Sequence, residues 1–117
     1  MIYGASKSHN AWIWISLRSK GVPINATWID EAGEGHTVDW ENLWERCIAE
    51  AMEADALILY VDPGDVLTGA LVEVGAALGA GNRVLVVGEP GFRFAAHPLV
   101  SCHSSIDEAL SALTEGT

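Results

Sequence analysis

In the stretch GALVEVGAALGAG, Gly69 to Gly81, Glu73 is the single charge among thirteen residues. On a helix its neighbours three and four positions away are Gly69, Ala70, Ala76 and Ala77, none large enough to cover it. Leu71, Val72 and Val74 leave such a helix no polar face, which predicts burial nearly all round rather than a solvent-facing glutamate. A buried carboxylate without a basic partner is costly, shifts its pKa, and is the kind of acid that concentrates in active sites. Arg83, the nearest base in sequence, falls at the far end of the helix. Small neighbours then have a use: they let a flat or ring-shaped ligand approach the carboxylate.

Two further carboxylates, Asp62 and Asp65, flank Pro63-Gly64 just upstream. Asp beside Pro-Gly is ordinary turn chemistry. A second carboxyl overlooking Glu73 is also what glycosyl transfer needs, one group attacking the anomeric carbon and the other moving protons. Tyr3, near the N-terminus, has two readings: a phenol that hydrogen-bonds the substrate or the nucleophile, or a packed aromatic. GASKSHN is neither a Walker loop nor GxGxxG, so phosphate binding there would rest on Ser6, Lys7, Ser8 and a helix N-terminus. All five tryptophans lie in the first 44 residues; most are expected in core and helix packing, while Trp28 is placed to stack on a base. His9, His36, His97 and His103 show no ligand spacing, and Cys47 and Cys102 form no CxxC pair, so no metal or cofactor is implied.

The elements that must carry these residues follow from pattern and punctuation. MIYGAS reads as a strand, AWIWISLRSKG as a helix capped by Ser8 or Asn10, and VPINATWI as a second strand. DEAGEGHTVD is a polar loop long enough to be functional or mobile. DWENLWERCIAEAMEAD is a helix with Asp39 as N-cap and an apolar stripe of Leu43, Cys47, Ile48, Ala51 and Met52. ALILYV and RVLVVG are continuous apolar runs, as in central parallel strands. The Glu73 helix lies between them, LVSCH is a short edge strand, and SSIDEALSALTEG is a last helix capped by Ser104 or Ser105. This alternation predicts a doubly wound, flavodoxin- or Rossmann-like α/β domain with a five-stranded parallel sheet and helices on both faces. Ligands bind such sheets beyond the carboxyl ends of the strands, where the loops 4–10, 29–38, 62–68 and 88–98 are expected to gather. Glu73, about one turn into its helix, then stands on the wall of that crevice.

At 117 residues the chain fits a single domain, 1–117, with its own core. Sixteen acids against six bases give a net charge of −10, which argues against nucleic acid polymers and anionic membranes as partners. A small phosphorylated ligand needs only a local site and is not excluded. No apolar run reaches the ~20 residues that span a bilayer, and two thiols without a signal peptide point to a reducing, cytoplasmic setting.

Across ADALILYVDPGDVLTGALVEVGAALGAGNRVLVVG the sequence resembles the nucleoside 2-deoxyribosyltransferase-like superfamily, which includes the deoxyribosyltransferases and the small nucleoside-5'-monophosphate N-glycosidases. The shared pattern is a buried strand, a turn, a G-x-x-x-E-x-G-x-A-x-x-x-G helix and another buried strand, met here by Gly69, Glu73, Gly75, Ala77 and Gly81. IYGAS and WENLWERCIAEAMEAD stand where that family places them, so the resemblance covers nearly the whole chain. It implies an enzyme that cleaves or transfers the N-glycosidic bond of a nucleoside or nucleotide. Glu73 is then the nucleophile that forms a glycosyl ester, and Tyr3 matches the family's tyrosine and positions it; Asp62 or Asp65 is the candidate proton carrier from its own chemistry, not from the resemblance. It also implies a homo-oligomer whose sites borrow residues from a neighbour. Gly69, Trp28, Ser6, Lys7 and Ser8 are the candidate substrate-binding residues. Two positions depart from the family: Cys47 stands where an aspartate is common, and Leu67 where Asp or Ser is. Glu50, one helical turn from Cys47, is a further candidate acid. The departures favour a rival reading as a non-catalytic nucleotide sensor. A second rival, an NAD-cleaving domain of the Toll/interleukin-1-receptor-like kind, shares a helix-borne glutamate but not the GALVEVGAAL pattern.

Overall fold

The computed structural model describes residues 1–31, 39–91 and 93–115. Its strands are β1 (Ile2–Ala5), β2 (Ala56–Tyr60), β3 (Arg83–Val87) and β4 (Val100–His103), all parallel and paired in the order β1-β2-β3-β4. The helices are α1 (Ala11–Ser19), α2 (Trp40–Glu53), α3 (Gly69–Gly79) and α4 (Ile106–Glu115). Short 3-10 turns occupy Ser8–Asn10, Thr27–Asp30 and Arg93–Ala96. β2 and β3 are buried along nearly their whole length, as continuous apolar runs between covered faces require. α2 and α3 pack together, and α4 lies against β2, β3 and β4.

The sheet has four strands, not five. VPINATWI meets β1 at one bridge, Ile2 with Ile24, and then winds into the turn Thr27–Asp30. Pro23 has no N–H to donate, and side chains take over from the ladder: Asn25 Nδ2 donates to the Glu50 carbonyl, and the Thr27 N–H and hydroxyl both donate to Glu50 Oε1. Glu50, a further candidate acid, is thus engaged with Thr27 and does not line the cavity that Glu73 borders.

Helix starts follow local chemistry. Asp39 accepts from the Asn42 N–H at 3.0 Å and caps α2. Ser105 accepts from the Glu108 N–H while Glu108 reaches back to Ser104, a capping box that starts α4. At α1 neither expected cap forms; the Asn10 amide donates instead to Asp62 Oδ2. Two stripes are narrower than their composition suggests. α2 buries Leu43, Cys47 and Ala51 but leaves Ile48 and Met52 outward. α3 buries Ala70, Glu73, Val74 and Ala77, while Val72, Gly75 and Gly79 are exposed, so this helix is covered on one side rather than all round. Gly4 is glycine because the Trp14 ring, fully buried, lies directly on its Cα; an added Cβ would stand 2.6 Å from Trp14 Cε3.

Candidate active site

Glu73 occupies the second turn of α3 on its buried side and is 6 % exposed. Parallel pairing of β1 with β2 places Tyr3 beneath that helix, and its phenol donates to Glu73 Oε1 at 2.5 Å. Among the described residues no basic side chain pairs with this carboxylate. Burial pushes its pKa up to about 7, against the hydrogen bonds from Tyr3 and Cys47, which favour the charged form. Tyr3 is driven far above the ordinary phenol range by burial and then by the Glu73 charge, so it stays a proton-bearing donor. Burial likewise raises the Cys47 thiol to about 11 and keeps it neutral. The phenol thus fixes Oε1, and the Cys47 thiol is a second hydrogen-bonding neighbour of the same carboxylate.

Glu73 opens into a cavity of about 360 Å³. α2 supplies one wall through Trp40, Leu43, Trp44 and Cys47, positions that share one helix face. Facing it are Leu67, Thr68, Gly69 and Ala70, at the start of α3. Ser6, Lys7 and Ser8 from the loop after β1, with Trp28, complete the lining. The small residues around Glu73 are used for contact: an added Cβ on Gly69 would lie 3.0 Å from Trp44 Cη2. Trp28 is held in place by its indole N–H, which donates to the Gly4 carbonyl at 2.9 Å. Trp14 donates to Ser6 Oγ, whose hydroxyl in turn donates to the Lys7 carbonyl, so this loop is fixed from below.

The structure thus brings Glu73, Ser6, Lys7, Ser8, Gly69 and Trp28 to one cavity, with Tyr3 fully buried behind the glutamate. It does not bring Asp62 and Asp65 to the lining. Asp65 Oδ2 accepts from the Asp62 N–H, and the Asp65 N–H donates to the Asp62 carbonyl, which is the turn role. Asp62 also accepts from Asn10, and the Asn10 and Tyr60 hydrogen bonds hold its pKa below the ordinary value. His9, Asp62 and Asp65 have donor atoms within 4.8 Å of one another, the one group among the described residues with metal-ligand spacing. It stands outside the cavity lining, and both carboxylates already accept hydrogen bonds. His36 and most of the long loop, 32–38, lie outside the described residues. Sequence reasoning missed Trp40 and Trp44 as site residues; their signal was two indoles on the helix face that also carries Leu43 and Cys47.

Fold and site together define a class: a parallel α/β protein with an aromatic-walled cavity and one buried glutamate beside the strand ends. Among solved structures the chain is similar to the Clostridium botulinum CMP N-glycosidase BcmB, with a TM-score of 0.60 and 15% sequence identity over 99% of this chain and 98% of that one. At that identity the likeness is one of fold. No protein-family model matches the chain, and no curated protein matches it.

Proposed function

We propose that this protein cleaves or transfers the N-glycosidic bond of a nucleoside or nucleotide, with Glu73 as the covalent nucleophile. The observation that carries the reading is the Tyr3–Glu73 pair: a buried carboxylate oriented by a phenol and open to a sugar-sized cavity. A Glu73 carboxylate oxygen attacks C1', the electron pair of the C1'–N bond leaves with the base, and water or a second base resolves the glycosyl ester. Ser6, Lys7 and Ser8 face the cavity where a 5'-phosphate would lie beside the sugar. The fold it shares with a CMP N-glycosidase and the family resemblance of its glutamate helix agree with this reading. In the same reading the sheet is of the doubly wound kind with its second strand reduced to Ile24, and the 117 residues act as one domain. The chain in this reading also forms a homo-oligomer, as the family resemblance implies, and Ile48, Met52, Val66 and Val72 are exposed apolar residues. Two free thiols suit a reducing cytoplasm. No helix among the described residues is long and apolar enough to cross a membrane.

The test is release of free base from a panel of nucleosides and nucleoside monophosphates, followed chromatographically. Glu73→Gln is expected to lower kcat on the order of a thousandfold or more while the fold is kept. A variant as active as the parent would remove Glu73 from the chemistry. The rival sensor reading draws on Cys47 and Leu67, both departures from the family pattern and both in the cavity wall. Tight nucleotide binding without any base release would select it.

A further inference from the structure

We infer that the cavity takes an N-glycoside whose leaving base is a cationic heteroaromatic ring of the pyridinium type. The inference rests on the glycosidic reading and names the substrate class of that same site. A neutral base departs from C1' as an anion unless an acid protonates it. Beside Glu73 the described walls offer no carboxylic acid for that step: Cys47 carries a neutral thiol, a far weaker proton donor, and Leu67 carries no proton to give. A ring that already bears positive charge needs none. Its C1'–N⁺ bond breaks, the electron pair neutralises the ring nitrogen, and a neutral heterocycle leaves. C1' is then bonded to a Glu73 oxygen. Water adds to C1', the ester oxygen departs as the Glu73 carboxylate, and the proton lost by water goes to solvent.

The other walls favour the same ligand. Trp40 and Trp44 stand one turn apart on α2 with Leu43 beside them, and Trp28 closes the cavity from another element. Indole faces attract cations through the ring quadrupole, and flat cations most of all where water is thin. Glu73 supplies the anion that faces the cationic ring of the bound substrate. Lys7 sits on a different segment, among Ser6 and Ser8, where a phosphate rather than the ring would meet it. A net charge of −10 draws a cation toward the molecule and repels an anion.

The experiment compares base release by the full chain from nicotinamide riboside, nicotinamide mononucleotide, cytidine and CMP. The expected result is a kcat/KM for the pyridinium substrates at least about tenfold above that for their cytosine counterparts. Trp44→Leu should lower the pyridinium value by about 5- to 30-fold, the size of a desolvated cation–π contact. Cys47→Asp, which places an acid in the wall, should raise cleavage of CMP relative to nicotinamide mononucleotide. Release from CMP that equals or exceeds release from the pyridinium substrates overturns this inference and leaves the glycosidic reading standing. No release from any of the four overturns both.

Discussion

Glu73, held by Tyr3, gives the molecule a pH response near neutrality. In the folded chain Glu73 titrates at about 7 rather than at the ordinary 4.5, so between those values the native state holds a proton that the unfolded chain has lost. Its contribution to stability is therefore full below about pH 4.5 and is lost as pH rises through about 7. Glu73→Gln should remove this dependence and gain about 3 kcal/mol over the parent at pH 8, and nothing at pH 4, in denaturant melts. Under the proposed mechanism the attacking group is the carboxylate, so activity runs the opposite way: kcat/KM should climb along a limb centred near pH 7. Tyr3→Phe removes the hydrogen bond that favours the charged form and should move that limb up by about one pH unit. An unmoved limb would mean that the phenol only packs. At this scale the burial of a lone acid among small residues was legible in the sequence, and so was the hydrogen bond that a Tyr3 phenol could make to it. The places of Asp62 and Asp65 were not legible, because a Pro-Gly turn and a proton relay ask for the same residue types. Only coordinates show that Asp62 faces Asn10 and that Asp65 closes the turn.

α2 connects capping to the cavity. Asp39 satisfies the Asn42 N–H at the first turn, and Trp40 is the first residue of that turn. Asp39→Ala should cost about 1 kcal/mol in thermal or denaturant unfolding. By fraying the turn that carries Trp40, it should also raise KM several-fold with little change in kcat. A fall in kcat with KM unmoved would separate the helix start from ligand binding. All four helices and the strands β1 to β4 were legible from period and punctuation, because buried parallel strands and capped helices leave strong local patterns. VPINATWI was not. Its β-branched and apolar residues fit a strand, yet Pro23 and the side-chain bonds to Glu50 divert the backbone after one bridge. Such a competition between ladder and side-chain bonds is decided by tertiary partners that a local pattern does not contain.

For the whole molecule, charge governs encounter. Sixteen acids against six bases surround a cavity with a single lysine in its lining. Between about 20 mM and 300 mM salt the Debye length falls from roughly 20 Å to about 6 Å, which hides distant charges from an approaching ligand. Over that range kcat/KM for a nucleoside monophosphate should rise, and that for a cationic nucleoside should fall, each by roughly two- to tenfold. Equal and flat responses would show that local contacts, not the net field, control access. The tryptophans have one more consequence. Three of the five border the same hollow, and Trp40 is 63 % exposed there, whereas Trp14 is sealed in the core. An arriving ring strips water from an indole that otherwise emits into it, so occupancy changes the colour and yield of the chain's own fluorescence. The molecule carries a built-in optical gauge of filling, readable even in a variant that performs no chemistry.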